Sequence, residues 1–585
     1  MSAGRRVLLG TAALVALRLV LSAGRPGPVI LVDEVGYLTN ARVLGGGVPA
    51  DLLMTPFYHG GYSLLLAPLM AVFDDPVTAY RVALVVNALL AAALFPLLYL
   101  LLTRASRVPG RIAFWPALAA AAYPAVTPTT GAAMSENLLF PLTVAWLLAF
   151  AQLLNARVDR ARAGWAAAFG FGAAALWATH GRMIVAVALS AVALALLGAR
   201  RRLPLPALAA GGGALALGSF AARSLDSYLI DRNCGGRDLD EASTRLSAIS
   251  NLDDLLAVAG NLVGQTWYLL VATLGLALVL PLTARGRTGT PAALLWMLLA
   301  TTAGLIFVSA LSFPEVERPD MLVYGRYVEV VAPPLVALGL VALTRARASP
   351  IVAVVLAASV AVAALRAAVH APQAPSFWNV MSLPLRTDAL GAASLLGAGL
   401  LACGAASALF WVARRRPEAL APLLLLLLFV PTTVFAERQL LQRSAAVYPS
   451  GWASLPRVGS DRIDYDQRNA TFDGQFIYPW FAAGSTIVTT TRGVPTGRYL
   501  ISSDVWNRAH PTLAATAVWR DPARDQTLWR IDRPRGTARL VCAAARGSCP
   551  GPAAALPGRR RAGCAHLAPG TCSRRASTPR PRGRG

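Results

Sequence analysis

The stretch Val77–Thr103, VTAYRVALVVNALLAAALFPLLYLLLT, holds one charged residue, Arg81, in 27 positions. A helix of about 20 residues already crosses a hydrocarbon core about 30 Å thick. A run this long and apolar reads as a membrane span. Comparable runs recur near 6–23, 111–127, 137–155, 164–181, 183–198, 204–222, 262–283, 291–312, 327–344, 350–368, 389–412 and 419–436, giving about thirteen spans in all. Composition agrees, because 56% of the 585 residues are hydrophobic and only 14% are charged, whereas soluble domains average about 25% charged. The expected fold class is an α-helical polytopic membrane protein.

Arginine-rich joints orient the spans. With this set of helices, Gly4-Arg5-Arg6, Thr103 to Arg107, Ala156 to Arg162, Arg200-Arg201-Arg202 and Arg414-Arg415-Arg416 all fall on one side, which the positive-inside rule makes cytoplasmic. The run Tyr62 to Phe73 is only about twelve residues, too short to cross, and counting it as a span would invert the later joints. It reads as interfacial or re-entrant. The expected location is the plasma membrane, with many passes, a cytoplasmic N-terminus and an extracellular C-terminus. The first helix resembles a signal peptide around Ser22-Ala23-Gly24 but reads as a retained anchor, because membrane-embedded architecture follows it. Arg18, near its outer end, reads as a snorkelling side chain.

The net charge is +25. The arginines sit mainly in joints and in the tail, without any RNA- or DNA-binding pattern, which argues against a nucleic-acid partner. The chain has no lysine, so an anion site here must use guanidinium groups, helix N-termini or histidine. The Ala- and Arg-rich, lysine-free composition points to a high-GC bacterial genome and hence to a cell-envelope setting.

Three outward segments are long enough for chemistry: Gly24 to Gly61, Arg223 to Asn261, and everything after Ala436. No nucleotide is available there as a donor, and neither a Walker nor a Rossmann glycine pattern occurs. The acids of the second segment, Asp226, Asp231, Asp238, Asp240, Glu241, Asp253 and Asp254, are expected to be mostly solvated on short interfacial helices. The expected division is a membrane domain over 1–436, a small outward α/β domain over 437–540 with strands in RYLISSDVW, ATAVWRD and TLWRID, and a disordered Arg/Pro/Ala-rich tail over 541–585. Cys542, Cys549, Cys564 and Cys572 in that tail fit no zinc spacing, Cys234 is outward, and Cys403 is expected to pack within a span. No cofactor is implied, and a divalent-metal requirement is not readable.

The first outward segment contains ILVDEVGYLTNARVLGGG, Ile30–Gly47, with the adjacent acids Asp33 and Glu34 in what reads as a loop. An acid pair alone is usually a solvated turn. Here it is accompanied by Tyr37, by Ala41-Arg42, by TPFYHGGYSLLLAPL (Thr55–Leu69) with His59, and by Glu136 in AAMSENLLFPL. Together these residues resemble the first outer loop of GT-C membrane glycosyltransferases, the group that includes protein O-mannosyltransferases and the lipid A aminoarabinose transferase. The resemblance covers roughly the first 160 residues. It implies that Asp33 and Glu34 face a sugar donor and acceptor and that Glu136 is the second acid of the site. VYGRYVEVVAPPLVALGL resembles the Arg-Tyr that opens a late helix in these enzymes, placing Arg326 and Tyr327 at the outer interface, and Arg182 in ATHGRMIV sits in a comparable turn beside His180. The chain departs from the group in reading His59-Gly60-Gly61 where O-mannosyltransferases have His-Pro-Pro, and in lacking the phosphate-holding lysine of other relatives.

The resemblance implies transfer of a sugar from a polyprenyl-phosphate donor to a hydroxyl of an envelope glycan, lipid or protein. The acceptor hydroxyl must lose a proton, which one carboxylate can take, and the departing phosphate needs positive partners rather than an acid. The expected roles are Asp33 as general base, Glu34 and Glu136 as groups that orient the acceptor or tune the base, and Arg326, Arg182 or His59 as phosphate contacts. Tyr37 is a candidate sugar contact, and Tyr327 a candidate substrate-binding residue at the outer interface. The rival reading is a transporter or flippase of lipid-linked glycans, which would predict repeated halves that the sequence lacks.

Overall fold

The structure is a computed structural model that describes residues 2–49, 58–233, 251–283, 288–313, 316–383, 390–449 and, with short gaps, 455–532. Cys234, Asp238, Asp240, Glu241 and the tail with its four cysteines lie outside the described residues.

Eight described helices are long and apolar enough to cross a membrane: Pro76–Ala105, Glu136–Asn155, Gly181–Ala199, Leu205–Asn233, Leu252–Ala272, Gly289–Leu311, Ala348–Ala368 and Ala392–Arg415. The protein is a polytopic membrane protein with a small C-terminal sheet. Several long apolar runs of the sequence are broken. The 111–127 run becomes Gly110–Ala121 and Val126–Thr130, separated around Pro124. The 262–283 run stops at Ala272 and restarts at Leu276, across a Gly275 with φ of +73° that only glycine adopts freely. The short run after Tyr58 is a 13-residue helix, Gly60–Val72, and cannot span.

Two expectations for the outward segments change. Ile30–Gly47 is no loop: Leu31–Leu44 is a helix, buried over most of its length, with Asp33 and Glu34 in its first turn, where acids complement the helix dipole. The helix Leu205–Asn233 runs on past Arg223, so the second segment starts as a rigid extension of a span.

The C-terminal sheet has the order β2-β1-β3-β5-β4, built from β1 (Ile463–Asp466), β2 (Ile487–Thr490), β3 (Tyr499–Ser503), β4 (Ala514–Asp521) and β5 (Gln526–Asp532). β1 pairs parallel with β2 and β3, and β5 pairs antiparallel with β3 and β4. The three expected strands correspond to β3, β4 and β5. The four-residue β1 and β2 are too short to carry a readable alternation. Beside the sheet, the helix Gly474–Phe481 lays Phe476, Ile477, Trp480 and Phe481 into one apolar cluster with Leu31, Val35 and Leu38. Arg42 fastens this contact, donating to the Pro479 carbonyl at 2.8 Å and the Trp480 carbonyl at 2.5 Å. The sheet unit is thereby packed directly on the helix that carries Asp33.

Candidate functional site

Adjacent residues on a helix point about 100° apart, and this separates the two acids of the pair. Glu34 turns inward and is fully buried. Its Oε1 accepts from the Val29 and Ile30 amides, each at 2.7 Å, and its Oε2 accepts from the Tyr80 hydroxyl at 2.7 Å and the Ala133 amide at 2.6 Å. Burial raises the affinity of this carboxyl for its proton, and the four donors pull the other way. Both oxygens are occupied, so Glu34 ties together the entry to its helix, the Pro76–Leu100 helix and the turn before Glu136.

Asp33 faces a cavity of about 500 Å³. Its side chain is 19% exposed. Oδ1 accepts from the Tyr58 hydroxyl at 2.6 Å, and Oδ2 is ion-paired with Arg326 Nη1. The Tyr58 ring packs closely on Gly36, one turn beyond Asp33, where a Cβ would sit 2.2 Å from the ring. Asn40 holds the Tyr58 carbonyl at 2.7 Å. Burial, then the neighbouring Asp33 charge, push the Tyr58 phenol well above its ordinary pKa, so it remains a hydrogen-bond donor.

Arg326 joins the acids. Nη1 takes Asp33, while Nε reaches Glu136 Oε1 at 2.9 Å and Nη2 reaches Glu136 Oε2 at 3.3 Å. Such a fork is available to arginine and not to lysine. Glu136 is also approached by Arg182 Nη2 at 3.3 Å and by the Ser135 hydroxyl at 3.3 Å, and Ser135 in turn accepts from Tyr37 at 2.8 Å. Two guanidiniums and two carboxylates thus balance in one cluster drawn from positions 33, 136, 182 and 326. Arg182 has a side-chain exposure of 0%, stacks over the Tyr327 ring at 4.6 Å, and has His180 Nε2 at 3.3 Å. Its surroundings are those of a buried counter-ion, not of an interface anchor.

The sequence-identified residues divide accordingly. Asp33, Tyr37, His59, Arg326 and Tyr327 line the cavity, Glu136 and Arg182 lie behind its wall, and Glu34 points away. His59 Nδ1 sits 2.7 Å from Asp226 Oδ2, and Asp226 also accepts from the Gly60 amide at 3.1 Å. Asp226 is therefore a buried partner rather than a solvated acid. Arg18, expected to snorkel, is 1% exposed and donates to the Ala121 carbonyl at 2.8 Å, capping the broken end of the Gly110–Ala121 helix.

Sequence reasoning missed Tyr58, Arg318, Trp378, Asn379 and Arg443, all of which line the cavity. Arg318 is set by the buried Asp320 at 3.2 Å, which also takes the Ser376 amide at 2.8 Å and Asn379 Nδ2 at 2.7 Å. Arg443 comes from the last long helix, Val430–Val447, and pairs with Asp473 at 2.7 Å, immediately before the helix Gly474–Phe481. The Asn-Ala-Arg and Tyr-His flanks of the acid pair could have drawn attention to Tyr58. Arg318 and Arg443 carry no local signal.

No family model matches the sequence, and no curated protein matches it at a significant level. Solved structures do. The apo crystal structure of ArnT from Cupriavidus metallidurans superposes over 90% of this chain and 98% of that one, with a TM-score of 0.51 and 16% identity. The chain shares the ArnT fold. ArnT from the same organism bound to undecaprenyl phosphate covers the same shares at 15% identity and a TM-score of 0.49. The arabinosyltransferase EmbB from Mycobacterium smegmatis matches 75% of this chain and 41% of its own at 16% identity and a TM-score of 0.40.

Proposed function

We propose that this protein is a membrane glycosyltransferase that moves a sugar from a polyprenyl-phosphate donor to an acceptor hydroxyl of the cell envelope, with Asp33 as general base. The observation that carries the reading is the charge arrangement of the cavity. One carboxylate, Asp33, opens into it, and the other charged groups on its walls are Arg318, Arg326 and Arg443, with His59 and His180 beside them. A sugar phosphate leaving as an anion calls for cations and one proton acceptor. The cavity offers that set. The shared ArnT fold and the resemblance of the first 160 residues to GT-C enzymes support the same class.

The geometry suggests an order of events. With no donor in place, Asp33 is paired with Arg326, which lowers the availability of its oxygen as a base. A phosphate entering the cavity competes for Arg326, whose Glu136 contacts keep the guanidinium positioned while Nη1 changes partner. Asp33 is then left to Tyr58 and to the acceptor hydroxyl. Attack on the anomeric carbon forms the new C–O bond, breaks the sugar–phosphate C–O bond, and passes the hydroxyl proton to Asp33. Arg318 and Arg443 hold the phosphate, in the bound donor and as it departs. Glu34 serves as a brace for the helix carrying Asp33, and Glu136, itself paired with Arg182, holds Arg326.

We place this site at the outer face. Glu136 begins one span and His180 follows the helix Asp159–Thr179, and the Arg-rich joint Ala156 to Arg162 connects the opposite ends of those two helices. The positive-inside rule puts that joint in the cytoplasm. The acceptor is an envelope glycan, lipid or protein, and the sheet unit is proposed as an outward domain over 437–540.

The test is transfer by the purified chain in proteoliposomes, supplied with radiolabelled polyprenyl-phosphate sugars and envelope extract. Label appearing in an acceptor with release of free polyprenyl phosphate supports the reading. Movement of the intact lipid-linked sugar between leaflets without cleavage would make the protein a flippase.

A further inference from the structure

A second cavity, of about 830 Å³, lies at the opposite end of the helical bundle. The helix Ala332–Ala342 connects the two sites. Arg326 and Tyr327 precede it at the first cavity, and Val341, Thr344 and Arg345 at its other end line the second. The 17 residues from Glu329 to Arg345 correspond to about 25 Å of helix, close to the thickness of a hydrocarbon core.

The walls have two characters. Ile112, Trp115, Leu338, Val341 and Leu420 make an apolar trough, in which Ile112 is 51% and Trp115 44% exposed. At its rim stand Arg107, Arg111 and Arg345 against one acid, Glu418. Among the described residues none of these three arginines is paired with a carboxylate. Arg107 moreover sits at φ of +56°, a conformation unfavourable for a side-chain-bearing residue. A soluble cleft with exposed Trp and Ile would be a liability. In a membrane the trough lies where acyl chains end and the rim where headgroups begin.

We propose that this cavity binds one anionic phospholipid of the surrounding leaflet, its phosphate forked by Arg107, Arg111 and Arg345 and an acyl chain lying along Ile112, Trp115 and Val341. Basic pockets between transmembrane helices bind acidic headgroups through this combination, and guanidinium matches phosphate in a bidentate way. The bound lipid pins the end of the helix that leads to Arg326. The inference rests on the membrane-spanning fold and not on the glycosyltransferase reading.

The experiment measures lipid binding by thermal unfolding of the full chain in neutral detergent, titrated with phosphatidylglycerol, phosphatidylcholine, inorganic phosphate or polyglutamate. Phosphatidylglycerol is expected to protect and the other three not. Each guanidinium removed should weaken that protection about fivefold, and the triple variant R107Q/R111Q/R345Q on the order of a hundredfold. Equal protection by phosphatidylcholine, or full phosphatidylglycerol affinity in the triple variant, overturns the proposal. Protection by phosphate alone would mean an ion site, and protection by polyglutamate an acidic protein partner, and either result overturns it as well. As a second measurement that does not depend on removing charge, brominated-chain phosphatidylglycerol should quench Trp115, seen as a component lost in Trp115→Phe. An identical quenching curve in that variant counts against the site.

Discussion

Replacing Asp33 with Asn separates binding from chemistry in a way the geometry makes specific. Asparagine has the same shape, so its carbonyl can keep Arg326 while its amide turns to the Tyr58 oxygen, which can accept. Neither neighbour is left without a partner, and the variant is expected to fold and to insert. What disappears is the negative charge and the free lone pair that takes the acceptor proton. Loss of a general base lowers turnover by about 10² to 10⁴. Donor binding should move in the other direction. Arg326 is shared between Asp33 and Glu136, and a phosphate must compete with the first of these. Asparagine leaves a neutral hydrogen bond to Arg326 where a charge-assisted one stood, a difference of about 1 kcal/mol, and this should tighten the donor by about fivefold. The assay is single-turnover transfer of radiolabelled sugar from a polyprenyl-phosphate donor in proteoliposomes, with donor affinity measured separately by competition with polyprenyl phosphate. Turnover above about a tenth of wild type would exclude Asp33 as base. A fall in donor affinity parallel to the fall in rate would show that Asp33 binds and does not catalyse.

Glu34→Gln should act on stability instead. Its amide would turn to Tyr80, whose oxygen can accept, and to the Ala133 amide, which is left without its acceptor, at a cost of about 2 kcal/mol. A lower unfolding temperature with activity per folded molecule largely kept is expected, and unchanged stability with abolished activity would return Glu34 to the chemistry. Arg318→Gln combined with Arg443→Gln should raise the donor KM by on the order of a hundredfold, each contact to phosphate being worth about 1.5 kcal/mol. A fall in kcat at constant KM would contradict phosphate binding by this pair. Tyr58→Phe removes one bond to Asp33, about 1 kcal/mol, and should lower kcat/KM about fivefold with unaltered unfolding. A wild-type value would leave Tyr58 with a packing role alone.

The membrane character of this chain could be read without coordinates because it depends on local quantities. The length of an apolar run, the Arg content of the joint after it and the shortness of Tyr62–Phe73 are each properties of consecutive residues, and burial in hydrocarbon requires nothing of their neighbours in space. Where the reading failed, a local break intervened, as at Gly275 and Pro124, or the strand was too short to show its period, as in β1 and β2. The helix Leu31–Leu44 reads as a loop in sequence, because its first turn is acidic and its composition mixed, and it becomes buried by packing against Tyr62 and Leu66 of the helix Gly60–Val72 and against Trp480 and Phe481 from more than 400 residues away in the sequence.

The site follows the same division. The sequence points to Asp33, Glu34, Glu136, Arg182 and Arg326 through its resemblance to GT-C enzymes, and four of these five meet in one ion cluster. Which of the adjacent acids reaches the cavity, that Arg18 and Asp226 are buried, and that Arg318 and Arg443 face Asp33 were decided by the tertiary structure alone. The chain fixes which groups are available and at which depth in the bilayer they lie. The choice of partner belongs to residues brought within 3 Å by helix packing, and a difference of one position around a helix, about 100°, turns one carboxylate into a brace and sets its neighbour facing the cavity.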